Sequence, residues 1–502
     1  MHDVGGMTTA GPAGPGEAAG PAGPDLVVRA RRVLTPSGIR PAAVAVTGGR
    51  ISAIGPYPPA PGDASPGVTG RTGAGGGGSR AGHAAARARA GHAAGQAEIV
   101  DLGDDEVLLP GLVDSHVHVD EPGRTSWEGF ATATLAAAAG GITTIIDMPL
   151  NSIPPTTDAA ALAAKRAAAE GQCHVDVGFW GGAIPGNEPE RGRLQDDGVF
   201  GFKCFMIDSG VAEFPPLDDQ ELVRVARQAA ELGALLLVHA EDPASIRQVR
   251  QVHKPGGADY DSFLRSRPPA AETTAIAKVL QIARATGTRV HVVHLSSAAA
   301  LPLIDAARRD GVAVTVETCP HYLALAAEDI PDGATEYKCC PPIRDRANRD
   351  RLWDALGAGS IDCVVSDHSP CPPELKRLAG GDFAAAWGGI SSLQITLSVV
   401  WTWARARGYP LTDVATWMSA RPARVAGVAG KGAIEPGRDA DLVAFAPDET
   451  FIVDPARLYH RHKLTPYAGQ RLQGVVRRAW LRGRPLAPTS LSAVPAGRLL
   501  AR

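Results

Sequence analysis

Two histidines, His116 and His118, are separated by a single residue at the end of an apolar run. Alternate side chains of a strand point to the same face, so both imidazoles would lie together at the carboxyl end of that strand. Two imidazoles on one face make half of a metal site. A pair of hydrogen-bonded core histidines is the alternative that this motif leaves open.

A lysine, Lys203, stands inside the apolar segment Gly201–Phe205. Burying an isolated ammonium group is costly, so this residue needs either a hidden carboxylate partner or a chemical modification. Desolvation lowers the pKa of a lysine, and the neutral amine can take up carbon dioxide to form an anionic carbamate. Beside a metal site, a carbamate that bridges two cations is the better interpretation.

Other metal-binding residue types follow later apolar runs. His239 and His294 each lie at the carboxyl end of a run, and Asp367 follows another. A carboxylate at such a position can bind a metal and also exchange a proton with a bound water. His291 opens its run and is predicted to face away from the site. His368 is either a support for the site or a locally packed loop residue.

These residues need a scaffold that brings distant strand ends together. A chain of 502 residues is long enough for one large barrel and a smaller unit. Apolar strand-like runs alternate with amphipathic helical stretches, and these runs are 111–119, 143–148, 174–179, 199–205, 234–240, 289–295, 313–318 and 362–366. This alternation predicts an α/β fold, a (β/α)₈ TIM-type barrel, whose chemistry lies at the carboxyl ends of its strands.

Short segments of alternating polarity near both termini predict half-buried antiparallel strands. They indicate a small β-sandwich domain formed from both chain ends. The predicted parts are a tail at 1–24, sandwich segments at 25–107 and 434–489, the barrel at 108–433 and a tail at 490–502. A Gly/Ala/Arg-rich insertion at about 57–97 cannot bury enough apolar area to order itself, so its His83 and His92 are poor candidate ligands.

The charge balance favours a small-molecule partner. The formal net charge is −3, with acidic and basic residues interspersed, which gives no electrostatic reason to expect nucleic acid or an anionic membrane surface. Seven cysteines without paired spacing, and no recognisable export signal, predict reduced thiols in a cytoplasmic protein. No apolar run is long enough to predict a membrane span.

Several stretches resemble the amidohydrolase superfamily, in particular its cyclic amidases: dihydroorotase, hydantoinase and allantoinase. The stretches are PGLVDSHVHVDEPGRTSWEGF, GGITTIIDMPLNSIPPTT, GFKCFMIDSGVAEFP, ETCPHYL, SDHSPC and YHRHKLTPYAGQRLQG. The resemblance covers about Leu26 to Pro485 apart from the insertion. It implies a barrel with a β-sandwich, a homotetramer and two divalent metal ions per subunit. Zinc is the usual metal, although cobalt, manganese or iron suit the same ligands.

The resemblance also implies the role of each candidate ligand. His116, His118 and Asp367 would bind the buried metal ion, and His239 and His294 the exposed one. Lys203, carboxylated on its amine as N6-carboxylysine, would bridge the two ions.

Departures from dihydroorotases indicate the substrate. Those enzymes bind a substrate carboxylate with an Arg, an Asn and a His, at positions where this sequence has Asp120, Leu150 and Cys371. A substrate carboxylate would therefore be buried without a partner, which favours an uncharged ring. Among the cyclic amidases, the sequence is most similar to allantoinases, which implies the neutral substrate allantoin. The expected substrate contacts are Ser209, Gly210, Thr318, Cys340 and Cys371.

The resulting hypothesis is hydrolysis of the hydantoin ring amide of allantoin to allantoate, within purine and ureide nitrogen catabolism. A hydroxide activated by two metal ions would attack the amide carbonyl, and Asp367 would transfer its proton to the leaving nitrogen. The alternatives are a hydantoinase or dihydropyrimidinase and, from another class, a metal-free scaffold without catalytic activity.

Overall fold

The computed structural model describes residues 23–58, 97–253, 256–486 and 494–502. The tail at 1–24 and the insertion with His83 and His92 lie almost wholly outside these residues. Within the described ranges the strands are β1 (Leu26–Thr35), β2 (Gly38–Thr47), β3 (Arg50–Gly55), β4 (Glu98–Asp101), β5 (Val107–Pro110), β6 (Leu112–Val117), β7 (Ile142–Asp147), β8 (Asp176–Phe179), β9 (Gly181–Gly182), β10 (Phe202–Phe205), β11 (Leu235–His239), β12 (Arg289–Val292), β13 (Val314–Thr318), β14 (Cys363–Val364), β15 (Leu442–Ile452), β16 (Arg471–Leu481) and β17 (Arg484–Leu486).

The α-helices in the same ranges mostly alternate with strands β6 to β14 or follow them. They are α1 (Phe130–Ala139), α2 (Ala159–Ala169), α3 (Glu188–Asp196), α4 (Asp219–Glu231), α5 (Pro243–Val252), α6 (Tyr260–Arg265), α7 (Pro269–Thr286), α8 (Leu301–Arg309), α9 (Pro320–Ala324), α10 (Arg346–Ala358), α11 (Thr396–Ala406), α12 (Leu411–Ala415) and α13 (Arg421–Ala426). None of the described helices combines the length and the apolar character that crossing a bilayer requires.

Strands β6 to β14 form a parallel barrel. β6, β7 and β8 pair in one sheet and β9 to β14 in another, and only Trp180 separates β8 from β9, so these two are parts of one bent strand. The ring closes where the His118 backbone N–H donates to the His368 carbonyl at 2.8 Å. Nearly every residue of these strands is buried, as expected for a parallel sheet covered by helices. The predicted (β/α)₈ barrel is confirmed.

Some elements are shorter than their apolar runs. The run at 362–366 contains only the two-residue strand β14, because the chain leaves the strand ladder there to form the loop that carries Asp367. Helix α1 begins at Phe130, where the Phe130 backbone N–H donates to Glu121 Oε2 at 2.9 Å.

Both chain ends contribute to one separate β unit, as the sequence predicts. β1 to β5 and β15 to β17 form an eight-stranded sheet in which β5 and β15 are antiparallel neighbours. Inward-facing residues of β1, β2 and β15 share one core, so the sheet curls over itself. Buried Lys431 joins this unit to the barrel, since its Nζ lies 2.6 Å from Asp176 and 2.7 Å from Asp441.

Residues 494–502, expected to belong to a tail, lie against the barrel. Leu499 pairs with Val177, and the Leu500 backbone N–H donates to the Val177 carbonyl at 2.8 Å. A Cβ at Gly497 would come within 1.9 Å of the Val175 carbonyl oxygen, so this close approach requires glycine. The last residues are therefore part of the folded unit. All seven cysteines are unpaired.

Candidate active site

The candidate ligands, far apart in the chain, meet at the carboxyl ends of the barrel strands. They line one cavity of about 250 Å³, and the six are His116, His118, Lys203, His239, His294 and Asp367. Parallel strands of a barrel end at the same rim, which explains how residues so distant in sequence share one cavity.

Three of these side chains form a tight group. Ligand atoms of His116, His118 and Asp367 all lie within 4.8 Å of one another. The Nε2 atoms of His116 and His118 are 3.2 and 3.7 Å from Asp367 Oδ1. Asp367 has a left-handed φ of 44°, and such strain in a non-glycine residue is commonly held at functional sites. Burial raises the pKa of its carboxyl group.

His239 and His294 form a second group beside the first. His239 Nδ1 and His294 Nε2 are 3.0 Å apart, and His239 Nε2 lies 2.8 Å from Glu241 Oε2. Burial lowers the pKa of both imidazoles, which keeps them neutral and leaves ring lone pairs available. Neutral imidazoles are the form that binds metal ions.

Lys203 is a buried cation in the wall of the cavity. Its side chain is buried, and no salt bridge or hydrogen bond of its Nζ occurs among the described residues. The Nζ lies 5.0 Å from the centre of the Phe205 ring. Burial lowers the pKa of this amine to about 8, so a neutral, reactive fraction exists near neutral pH. These surroundings suit conversion to a carbamate, which would exchange an unpaired positive charge for an anionic ligand.

The donor set fits a pair of divalent cations. Four imidazoles, one carboxylate and one lysine able to form a carbamate are ligands that zinc and related metals accept. Without a cation or a modification, Lys203 would be a buried ammonium group that has no hydrogen-bond partner among the described residues.

The sequence analysis did not identify two buried glutamates, Glu317 and Glu241, that contact candidate ligand histidines. Glu317 bonds His116 Nδ1 through one oxygen and lies 2.9 Å from His291 Nε2 through the other. Burial alone would raise the pKa of Glu317, but both imidazoles outweigh it and hold that pKa below its usual range. His291 therefore lies behind the site, outside the cavity wall. Glu317 could have been found in the sequence, because it is a charged residue within a predicted strand. The same kind of pattern identified Lys203.

Three of the five expected substrate contacts line the cavity, namely Ser209, Gly210 and Cys340. Thr318 and Cys371 lie outside its wall. The Thr318 hydroxyl donates to the Leu295 carbonyl at 2.9 Å, which ties together the chain after β12 and the end of β13.

The group at the position of the dihydroorotase arginine is a buried acid. Asp120 accepts a hydrogen bond from Asn151 Nδ2 at 3.0 Å, and burial raises the pKa of Asp120 well above its usual range. Arg267 and Lys338 lie in the cavity wall. Arg267 Nη1 donates to Glu241 Oε2 at 2.5 Å, and Lys338 Nζ donates to the Ala384 carbonyl at 3.1 Å. Arg267 and Lys338 are thus engaged by groups of the protein, which suits an uncharged ligand.

A buried network ties the C-terminal segment to the back of the site. Glu128 Oε2 lies 3.4 Å from His368 Nε2, and the Glu128 carboxylate accepts the Arg461 backbone N–H at 3.1 Å. The Ser392 backbone N–H donates to His368 Nδ1 at 3.2 Å. His368 lies outside the cavity wall, next to Asp367, and this placement fits a supporting role.

His460 is a fully buried imidazole beside this network. Neither of its ring nitrogens has a hydrogen-bond partner among the described residues. Burial lowers its pKa from 6.5 to about 3, and the nearby His368 contributes. Between these values the unfolded chain binds a proton that the folded chain does not. The free energy of unfolding therefore falls as the pH drops below about 6.5, by about 1.4 kcal/mol per pH unit from this residue.

Replacing His460 with glutamine is expected to remove this part of the acid sensitivity. Urea denaturation between about pH 5 and pH 7.5 gives the free energy of unfolding as a function of pH. The slope of this free energy against pH should be smaller in the variant than in the unchanged protein, by the equivalent of about one bound proton. His462→Gln is the control, because His462 is only half-buried and bonds only the Ser126 carbonyl, at 2.8 Å, among the described residues. Parallel curves for His460→Gln and the unchanged protein would contradict the assignment.

Comparisons with known proteins agree with this geometry. The model of the amidohydrolase family matches residues 107–486. The chain is 55% identical to the allantoinase of Streptomyces avermitilis, over 95% of this chain and 99% of that protein. It is 48% identical to the allantoinase of Saccharomyces cerevisiae, over 78% of this chain and 86% of that protein.

Solved structures give the same fold. The L-hydantoinase (dihydropyrimidinase) of Arthrobacter aurescens superposes with a TM-score of 0.82 at 29% identity, over 95% of this chain and 100% of that one. Its identity is well below that of the allantoinase relatives. The chain therefore belongs to the amidohydrolase family and, within that family, to the allantoinases.

Proposed function

We propose that this protein hydrolyses the hydantoin ring amide of allantoin to give allantoate. The observation that carries the proposal is the meeting of six metal-type side chains from distant strands in one cavity. The allantoinase relatives, which align along nearly the whole chain, direct the choice of substrate. The wall of this cavity, in which Glu241 holds Arg267 and backbone carbonyls hold Lys338, suits a neutral ring.

The finer proposals concern the cofactor and the setting. We propose two divalent ions per subunit, zinc first, with His116, His118 and Asp367 on one ion and His239 and His294 on the other. Lys203, carboxylated, would bridge them. A cytoplasmic homotetramer that acts in purine nitrogen catabolism is the setting that the resemblance implies.

In the mechanism, the protein positions the ring amide and moves one proton. When bound, the two ions would lower the pKa of a water molecule and polarise the amide carbonyl. Asp367 takes the proton of the attacking water and delivers it to the ring nitrogen as the C–N bond breaks.

Aromatic side chains form part of the wall around the reacting groups. Phe205 stacks on His239 with ring centres 4.6 Å apart, and Trp387 in the cavity wall lies against Gly210. A Cβ at Gly210 would meet the Trp387 ring at 3.3 Å, so the two loops already touch at this side of the cavity. A low-dielectric wall strengthens the interactions that stabilise the developing oxyanion.

A substrate panel tests the proposal. Purified protein loaded with zinc is assayed on allantoin, hydantoin, dihydrouracil and dihydroorotate, before and after treatment with a chelator. We expect kcat/KM for allantoin to exceed the others by at least about 10²-fold, because polar groups of the site left unpaired by a smaller ring cost binding energy. Chelation should abolish turnover. Preference for hydantoin or dihydrouracil would indicate a hydantoinase or dihydropyrimidinase, and absence of both metal and turnover a non-catalytic scaffold.

A further inference from the structure

Two buried carboxylates that are not candidate ligands hold one histidine of each group. Glu317, in β13, bonds His116, and Glu241, directly after β11, bonds His239. We propose that each glutamate is a positioning residue for a different metal ion, so that each ion has its own carboxylate support. The inference rests on the metal pair of the proposed function but concerns metal retention, which can be measured without turnover.

Glu317 fixes the ring orientation of His116. One oxygen bonds His116 Nδ1, and the other lies 2.9 Å from His291 Nε2, whose Nδ1 lies 2.8 Å from the Thr315 hydroxyl. All three charged or titratable side chains are about 1% exposed. With Nδ1 engaged in this way, His116 can offer only Nε2, the atom that faces Asp367 Oδ1 at 3.2 Å.

Glu241 contacts the other ring nitrogen of its histidine, Nε2 of His239. Its Oε2 lies 2.8 Å from His239 Nε2 and accepts Arg267 Nη1 at 2.5 Å. The ring nitrogen left for a metal is Nδ1, which faces His294 Nε2 at 3.0 Å. The two histidines therefore present different ring nitrogens, and in each case the contact with a glutamate determines which one is free.

His118 provides an internal contrast. Its Nδ1 lies 3.1 Å from the Leu150 carbonyl, a neutral acceptor, and its Nε2 faces Asp367. A carboxylate attracts the imidazole N–H more strongly than a carbonyl and makes the opposite nitrogen a better donor to a cation. Among the described residues, therefore, each group has one histidine supported by a buried carboxylate.

The two supports have different hydrogen-bond partners. Glu317 bonds side chains of β6 and β12 and accepts the His294 backbone N–H at 3.4 Å, whereas Glu241 bonds His239 and the side chain of Arg267, which precedes α7. They share no hydrogen-bond partner among the described residues. Changes at sites without shared partners usually act additively. Loss of one support should therefore affect mainly one ion.

The test compares two matched variants, Glu317→Gln and Glu241→Gln, which remove a charge while keeping side-chain volume. Stripped protein is reloaded with zinc and dialysed, and bound zinc is measured by elemental analysis. We expect each variant to bind one ion with about 10- to 100-fold weaker affinity and the other as in the unchanged protein. The double variant should bind both ions weakly, and excess zinc should refill all three proteins.

Second substitutions show which ion is lost. Adding His118→Asn to Glu317→Gln should further weaken only the ion that is already weakened, because both residues act on the same ion, whereas adding His294→Asn should weaken the other ion as well. Thermal melting of each zinc-free variant separates a general loss of folding from a loss of metal. Wild-type affinity for both ions in both single variants would overturn the inference, and so would equal loss of both ions from either one. A protein inactive on allantoin would leave these binding results intact and would count only against the proposed function.

Discussion

Asp367→Asn is expected to lower kcat for allantoin by about 10³-fold, within the range for loss of a general acid–base group. The amide side chain can neither accept the proton of the attacking water nor return it to the ring nitrogen. Steady-state kinetics of zinc-loaded protein provide the measurement. KM should change much less than kcat, because the side chain acts mainly on the step that breaks the ring.

The matched control is Asp104→Asn, the same chemical change at an exposed residue outside the cavity wall. Its kcat should stay within about threefold of the original value, as for other surface substitutions away from the chemistry. Circular dichroism should give the same fold for both variants. Near-normal turnover by Asp367→Asn with full metal content would rule out the proposed proton transfer.

Lys203→Ala is expected to lose at least one metal ion and to lower kcat by about 10³-fold or more, equivalent to about 4 kcal/mol of barrier. The substitution removes the only described group able to bridge both histidine groups as a carbamate. It also leaves a space in which a small carboxylate can take the bridging position. Adding propionate together with zinc should therefore restore part of the bound metal and part of the turnover.

Lys203→Arg tests whether the carbamate or the positive charge of Lys203 is needed for activity. Guanidinium keeps its charge at any relevant pH and cannot take up carbon dioxide. This variant should be as inactive as Lys203→Ala, and propionate should not rescue it because the longer side chain fills the space. An active Lys203→Arg enzyme would mean that the carbamate is dispensable.

The barrel and the shared β unit could be predicted because both depend on local periodicity. Continuous apolar runs such as that ending at Phe205 predict strands covered on both faces, whereas alternation in Leu26–Thr35 predicts a strand covered on one. The order of runs and helices then determines which strand ends meet. The six candidate ligands could be found because each stands at or near such an end.

The supporting contacts could not be predicted in the same way. Whether Glu317 meets His116 depends on how β6, β12 and β13 face one another inside the barrel, and their local sequences do not encode this. The raised pKa of Asp120 similarly arises from burial in the folded chain. The packing of residues 494–502 against the barrel depends on the close approach of Gly497 to Val175. This short segment mixes polar and apolar residues without a regular period, so its sequence does not predict the contact.

Titration of chelator-stripped protein with zinc tests the central claim most directly. Bound zinc and allantoin hydrolysis are followed in parallel on the same samples. We expect turnover to appear as the chain fills with two ions and to reach its plateau when both are bound. Full turnover without metal, or a protein saturated with two zinc ions that leaves allantoin unopened, would contradict the account.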